Sequence, residues 1–303
     1  ARHEDRPKSK FFIDNLFDEF ISLSGDRYYS DDKSVITGFA KFNNQSVLII
    51  GQEKGDDLES RIEHNFGMMR PEGYRKSIRL MKLADKFNIP IIIFVDTPGA
   101  YPGVGAEERG QAEAIAKSIE CSMDIKVPTI SIIIGEGGSG GAIALASSSK
   151  VIMLENAIYS VISPEGCATI LWRDPKKTLE AATAMKLSSK DLLDLKVIDE
   201  IIEEPLGGAH RDKNFILENV RKSIEKSLLE FSGLSREEVF NKRKEKFLSI
   251  GRNKGFTSTS SSKTSLSLEN NSFLNFVNKL KKKQLIFLGL VILSILFLGI
   301  IFI

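Results

Sequence analysis

The stretch that decides the fold is VPTISIIIGEGGSGG, residues 127–141, in which an apolar run is followed by a cluster of glycines. Residues 127–134 are rich in β-branched side chains, which is typical of a buried strand. Five of the seven residues from Gly135 to Gly141 are glycine. The segment therefore predicts a strand, a glycine loop whose backbone can come close to a ligand, and a helix over residues 140–148.

Four further apolar runs predict strands, and helical patterns lie between them. The predicted strands are 46–51, 89–95, 150–154 and 197–202, and the other predicted helices are 71–87 and 106–123. This alternation predicts an α/β fold with mainly parallel strands, in which ligands collect at the carboxyl ends of the strands. A second glycine-rich segment, DTPGAYPGVG at residues 96–105, follows the strand 89–95 and belongs to that edge.

The overall composition excludes several classes of protein. The chain has 303 residues with 42 Lys and Arg against 40 Asp and Glu, so its net charge of +2 gives no reason to expect nucleic acid as a partner. Cys121 and Cys167 lack the paired spacing of a zinc site or a disulfide framework. We therefore expect no metal in this chain and a cytoplasmic location.

The carboxyl-terminal part has a different composition and predicts three regions along the chain. Residues 1–251 form the predicted domain, and residues 252–278 are rich in Ser, Thr and Asn and predict a flexible linker. Within the last region, 279–303, four lysines precede the uncharged apolar run 285–303. As a helix this run would span about 28 Å, which predicts a transmembrane anchor holding the domain at the cytoplasmic face of a membrane.

The first function compatible with the glycine loop is dinucleotide binding. Gly135, Gly137 and Gly140 form G-x-G-x-x-G, and Glu155 follows twenty residues after Gly135, as in a dinucleotide site. The position of the motif in the third predicted strand weakens this hypothesis, because such a fingerprint normally follows the first strand of its domain.

The same loop also contains a G-x-S-x-G pattern centred on Ser139. Asp199 and His210 follow it in the chain order of an α/β-hydrolase triad. A third interpretation uses only backbone N–H groups: at a helix amino terminus they can stabilise an oxygen that gains negative charge, forming an oxyanion hole. The residues alone leave these three possibilities open, beside a loop that is glycine-rich only for packing.

Five strings, taken together, carry a resemblance to a known family. They are EGYRKSIRLMKLADKF (72–87), DTPGAYPGVGAEERGQAEAIA (96–116), IGEGGSGGAIAL (134–145), YSVISPEGCATILW (159–172) and EPLGGAHR (204–211). In order and spacing they resemble the alpha subunit of the bacterial and plastid type of acetyl-coenzyme A carboxylase carboxyltransferase, over residues 1–251. The resemblance implies a single crotonase-like (ClpP-like) domain built as a β-β-α superhelix, preceded by a further helical segment ahead of Ala1.

The resemblance also implies a reaction and a set of partners. The family transfers carboxyl from carboxybiotin, carried on the biotin carboxyl carrier protein, to acetyl-CoA, and the malonyl-CoA formed begins fatty acid biosynthesis. A beta subunit bearing a zinc ribbon supplies the acetyl-CoA side, in an α2β2 heterotetramer. Biotin therefore belongs to a separate protein, and ATP is used by the biotin carboxylase of the complex.

The residues that the resemblance assigns to the site lie in the two glycine-rich segments. The backbone amides of Gly137 and Gly138 are expected to form the oxyanion hole on the biotin side. The expected substrate-contacting residues are Gly99, Ala100, Tyr101, Pro102, Gly103, Val104, Gly105, Gly135, Ser139 and Gly140. The remaining alternatives are a ClpP-like or α/β hydrolase using Ser139, an NAD-dependent dehydrogenase, and a non-catalytic membrane scaffold for the carboxylase complex.

Overall fold

A computed structural model of the chain describes residues 1–252. Its strands are β1 Asp18–Ser22, β2 Val35–Phe42, β3 Gln45–Gln52, β4 Ile91–Thr97, β5 Thr129–Gly138, β6 Lys150–Leu154, β7 Ile158–Ser160 and β8 Glu200–Ile202. They form one sheet in the order β1-β2-β3-β4-β5-β6-β8, with β7 paired to β5. The pairs among β1, β2 and β3 are antiparallel, and all the others are parallel.

The helices in this part of the chain cover the sheet. They are α1 Ser9–Leu16, α2 Leu58–Glu63, α3 Pro71–Lys86, α4 Val104–Glu108, α5 Gln111–Asp124, α6 Ser139–Ala146, α7 Pro164–Cys167, α8 Thr178–Met185, α9 Ser189–Asp194, α10 Lys213–Ser232 and α11 Arg236–Ser249. Helices α3 and α5 pack on each other, and α1 packs on β3 and contacts α10. All seven residues of β4 are buried, so this strand lies in the hydrophobic core.

The five predicted strands are present as β3, β4, β5, β6 and β8, and other features differ from the prediction. The helix predicted over 106–123 is divided, because Gly110 has a φ of 81° and α5 begins only after it. Strands β1 and β2 were missed. The turn between β2 and β3 consists of Asn43 and Asn44, with φ values of 48° and 62°, which is the left-handed two-residue connection that suits the twist of a hairpin.

The loop predicted for Gly135–Gly141 is wrong in its first half. Strand β5 continues to Gly138, and α6 begins at Ser139. The last residues of β5 are held on two sides, since Gly137 pairs with Thr97 of β4 and with Tyr159 of β7. Residues 135–138 therefore extend β5 and do not form a loop.

The predicted fold class needs one correction, which concerns the transmembrane helix. Among residues 1–252, none of the helices combines the length and the apolar character needed to cross a membrane. The predicted span 285–303 and the linker after residue 252 lie outside the described residues. Within residues 1–252 the fold is therefore α/β, and the transmembrane helix is removed from the description of the fold.

Candidate active site at the carboxyl edge of the sheet

Polar side chains from three neighbouring parallel strands meet at one edge of the sheet. Asp96 lies near the end of β4, Glu136 lies near the end of β5, and Lys54 follows β3 by two residues. Because these strands are parallel, their carboxyl ends lie together. The three side chains line a cleft of about 270 Å³, to which residues near the amino terminus, among them Arg2, also contribute.

Lys54 is the centre of a charged network in this cleft. Its Nζ lies 2.8 Å from Asp96 Oδ1 and 2.6 Å from Glu136 Oε2. Arg2 Nε donates a hydrogen bond of 2.5 Å to Glu136 Oε1. The backbone N–H of Glu136 donates to Asp96 Oδ1 at 2.9 Å. Lys54 therefore joins the ends of β4 and β5 through both carboxylates.

The network favours the charged forms of Glu136 and Lys54. Burial opposes ionisation of Glu136, but the charge of Lys54 and the hydrogen bonds from Lys54 and Arg2 outweigh it and lower the pKa of the carboxyl group. Burial likewise opposes the charged form of Lys54, but Asp96 and Glu136 outweigh it and raise the pKa of the ammonium group. The cleft therefore holds paired, fixed charges near the glycines of β5.

The glycines at the junction of β5 and α6 are packed against neighbouring backbone and rings. A Cβ at Gly138 would lie 2.2 Å from the carbonyl oxygen of Pro98, and one at Gly137 would lie 2.8 Å from the Tyr159 ring. A Cβ at Gly141 would lie 2.6 Å from the carbonyl carbon of Gly99. No L side chain fits at these positions without a shift of the surrounding structure.

This junction of strand and helix borders a small cavity. Gly137 and Gly138 line a cavity of about 20 Å³, which shares Arg2, Pro98 and Glu136 with the larger cleft. The first N–H groups of a helix have no partner within the helix, and its dipole favours negative charge there. Helix α6 begins directly after Gly138. The arrangement can stabilise a developing oxyanion without any side chain.

The segment 97–105 forms a neighbouring wall that is fixed from behind. The backbone N–H of Tyr101 donates to the carbonyl of Met69 at 3.0 Å, and the Gln111 side chain donates to the carbonyl of Tyr101 at 3.1 Å. The Arg70 guanidinium lies 4.6 Å from the centroid of the Tyr101 ring. From this segment Pro98 lines both cavities.

The remaining predicted site residues are placed differently by the structure. Gly135 lies against the Asp96 carboxylate, where a Cβ would be 2.5 Å from Oδ1. Ser139 begins α6 with a φ of 51°, a left-handed conformation that is uncommon for a residue with a side chain. A Cβ at Gly140 would make an ordinary contact with Ile115 at 3.6 Å.

The hydrolase triad is not assembled around Ser139. Asp199 Oδ2 accepts a hydrogen bond of 2.7 Å from the backbone N–H of Val151. The His210 ring stacks on His3, with centroids 3.7 Å apart. Both side chains are thus engaged elsewhere.

The dinucleotide motif is not formed as a loop either. Gly137, its second glycine, is a strand residue paired with Thr97 and Tyr159. The side chain of Glu155 accepts from the backbone N–H of Glu204 at 3.2 Å, which is a contact within the protein.

Sequence reasoning missed the charged network, although a signal for it existed. Lys54 and Asp96 each follow a buried apolar run, 46–51 or 89–95, at the edge where ligands are expected. Glu136 was overlooked because it lies within the glycine-rich segment 135–141. Among residues 1–252, no group of three or more His, Cys, Asp or Glu side chains is placed to hold a metal ion.

Solved structures of other proteins share this fold. The structure matches the 12S transcarboxylase, crystallised as a hexamer with methylmalonyl-coenzyme A, with a TM-score of 0.62 and 20% identity over 75% of this chain and 42% of that chain. It matches a Pseudomonas malonate decarboxylase hetero-tetramer in complex with coenzyme A with a TM-score of 0.58 and 14% identity, over 83% of this chain and 91% of that chain. These similarities show the crotonase-like α/β fold.

Sequence relatives define the family. A family profile described as acetyl co-enzyme A carboxylase carboxyltransferase-like matches residues 1–251. The acetyl-coenzyme A carboxylase carboxyl transferase subunit alpha of Pelagibacter ubique is 75% identical over 285 residues, covering 94% of this chain and 77% of the relative. That of Sphingopyxis alaskensis is 55% identical over 252 residues, covering 83% and 80%. The chain belongs to the acetyl-coenzyme A carboxylase carboxyltransferase alpha-subunit family, and its activity is carboxyl transfer.

Proposed function

We propose that this chain provides the biotin side of a shared active site, in which a beta subunit supplies the acetyl-CoA side. The observation that supports this proposal is the junction of β5 and α6, where Gly137 and Gly138 line a small cavity directly ahead of the helix and leave no room for side chains. Such a site stabilises charge on an oxygen and needs no nucleophilic residue.

The reaction places negative charge on an oxygen twice, once on the urea of biotin and once on the thioester of acetyl-CoA. The bond between N1 of carboxybiotin and the carboxyl carbon breaks, and its electron pair passes into the urea, whose oxygen gains negative charge. A proton passes from the acetyl methyl group to N1, which leaves an enolate with negative charge on the thioester oxygen. The enolate carbon then bonds to the carboxyl carbon. The amides of Gly137 and Gly138 donate to the urea oxygen, because stabilisation that grows as charge develops lowers the barrier.

The charge of the larger cleft fits a carboxylated substrate. Its lining contains five cationic side chains and three anionic ones, which are Arg2, Arg6, Lys8, Lys54 and Arg61 against Glu4, Asp96 and Glu136. Arg6 and Lys8 are paired with Glu204 and Asp56 outside this lining. Arg2 and Lys54 are paired within it, so Arg61 is the cationic side chain of the lining without an ion pair among residues 1–252, and its charge favours an anion. Carboxybiotin is a substrate here, delivered on its carrier protein, and the segment 99–105 forms a wall along which it passes.

The partners follow from this division of the site. The beta subunit completes the site in an α2β2 assembly, and its zinc ribbon belongs to it. The biotin carboxyl carrier protein delivers the substrate, and biotin carboxylase recharges it with ATP. The acyl pocket lies on the beta subunit, so this chain alone should be inactive.

Malonyl-CoA formation tests the proposal directly. The full chain is supplied with acetyl-CoA and a carboxylated biotin donor, first alone and then with a cognate beta subunit. We expect activity only in the mixture, because each subunit would contribute one oxyanion site. A stable complex of the two that makes no malonyl-CoA would contradict the proposal, as would full activity of this chain by itself.

A further inference from the structure

A strained turn ahead of α3 packs against the charged network. Asn65, Phe66 and Gly67 have φ values of 47°, 56° and 81°, so three successive residues are left-handed. This conformation is unfavourable for residues with a Cβ, and for a bulky side chain such as Phe66 it is an outlier. A Cβ at Gly67 would lie 2.7 Å from the carbonyl oxygen of Asp96 and 2.8 Å from Lys54 Cγ. The turn thus packs closely against Asp96 and Lys54, two members of the network.

The turn places the Phe66 ring in the cleft. Phe66 lines the cleft together with Lys54 and Pro98, and it is 44% exposed. It is a large apolar ring in a lining that consists mainly of charged side chains. Strain of this kind persists where the surrounding structure holds it, and it is typical of sites that bind or react with a ligand.

Two contacts connect this turn to the wall of the site. The Arg70 guanidinium donates to Asn65 Oδ1 at 3.1 Å, and the same guanidinium lies over the Tyr101 ring. The position of Phe66 is therefore linked to the segment 97–105. A turn held by both the network and the wall has a fixed orientation towards the cleft.

Arg61, on α2, also lines the cleft. In the described part of the chain its guanidinium donates to the carbonyl of Gly55 at 3.5 Å, and this is a weak contact with a neutral group. Its charge is therefore available to a ligand, in contrast to the charge of Lys54, which is paired with two carboxylates.

We propose that Phe66 and Arg61 recognise the carboxylated donor. The Phe66 ring packs against the face of the bicyclic biotin ring, and Arg61 pairs with the carboxylate on N1. A planar ureido group suits an aromatic face, and a guanidinium suits a carboxylate because two N–H groups can meet its two oxygens. This inference rests on the proposed function, since it assigns the cleft to carboxybiotin.

We expect substitutions of the two residues to change donor binding by the assembled enzyme in different ways. With Phe66→Ala, we expect the KM for the carboxylated donor to rise about tenfold and binding of the uncarboxylated biotinyl carrier, measured by calorimetry, to weaken by a similar factor. With Arg61→Gln, the same KM rises, but binding of the uncarboxylated carrier does not change, because that form lacks the carboxylate. The KM for acetyl-CoA stays the same in both variants.

The control is Phe87→Ala, which removes another exposed phenylalanine, 62% exposed at the end of α3. It should leave donor binding unchanged. If Phe66→Ala fails to fold, Phe66→Leu keeps the apolar bulk and should still weaken carrier binding through loss of the aromatic face. Unchanged donor binding in a folded variant that makes malonyl-CoA would overturn this inference alone. Lack of malonyl-CoA with the unmodified chain would instead contradict the proposed function.

Discussion

The two glycine-rich segments at the carboxyl edge of the sheet look alike in sequence but are packed differently. At Gly138 a Cβ would meet the carbonyl oxygen of Pro98 at 2.2 Å, which is backbone. At Gly103 it would meet the end of the Tyr101 ring at 2.3 Å, and at Gly105 it would meet Arg109 Nη1 at 3.0 Å. Side chains can rotate away, whereas paired backbone cannot. Glycine is therefore required at Gly138 and only favoured at Gly103 and Gly105.

One residue connects the two segments. Lys54 pairs with Glu136, which precedes the glycines of β5, and with Asp96, which precedes the segment 97–105. All three side chains are largely buried. The relative position of the two segments thus depends on a charge cluster as well as on the sheet.

The largest effect is expected for Gly138→Ala. The new Cβ would push the end of β5 away from Pro98 and displace the N–H groups of the site. We expect malonyl-CoA formation by the complex to fall by about 100-fold or more, as for loss of an oxyanion-hole donor. Unfolding of the purified chain should show a loss of about 2 kcal/mol from overpacking.

Gly140→Ala is the matched control for that variant. It makes the same chemical change two residues away, where the nearest atom is Ile115 Cγ2 at 3.6 Å. We expect stability to be kept, because alanine favours the helix α6. Equal losses of stability in the two variants would show that backbone packing does not distinguish them.

A smaller effect on activity and a large one on stability are expected for Lys54→Met. Removing the ammonium group leaves Asp96 buried without its cation and Glu136 with Arg2 alone, and breaking a buried pair in this way typically costs about 3 kcal/mol or more. Denaturant unfolding measures this loss. The control is Lys33→Met, which removes one partner of the solvent-exposed Lys33–Glu63 pair and should leave stability unchanged. A stable Lys54→Met variant would show that the two segments are held together by the sheet alone.

The smallest effect is expected for Gly103→Ala. Gly103 precedes α4 as its N-cap residue with a φ of −90°, so alanine introduces no left-handed strain. The Tyr101 ring must rotate away from the new methyl group. We expect a loss of about 0.5 kcal/mol, typical of a surface substitution, and a modest change in the KM for the biotin donor. A loss as large as that of Gly138→Ala would remove the distinction between the two segments.

The parts of the fold that were predicted correctly depend on local patterns. Strands β4 and β5 are continuous apolar runs, and α3 begins with Pro71 and carries Glu72 in its first turn. Strand β1 was missed because four of its five residues are exposed, so it has no apolar run. The local pattern likewise gave no sign that Gly110 would adopt a φ of 81° and divide the predicted helix.

For the candidate site, local patterns predicted two glycine-rich segments at the carboxyl edge of the sheet, and the structure has both segments there. The assignment of the oxyanion hole to Gly137 and Gly138 comes from the family resemblance and stays a prediction. The pairing of Gly137 with both Thr97 and Tyr159, which makes the segment a strand, depends on residues far away in the chain. The left-handed turn at Phe66 is held by contacts of Gly67 with Asp96 and Lys54, and no local sequence rule predicts it.

The sequence by itself determined the family, the carboxyl transfer activity, the alternation of strands and helices, and the two segments that meet at the site. These properties depend on the types of side chain and on the short distances along the sequence between them. Only the tertiary structure decided that Lys54, Asp96 and Glu136 form one cluster, and that Ser139, Asp199 and His210 do not. Charges interact over a few ångströms, and the sheet brings residues 40 or more positions apart to that distance.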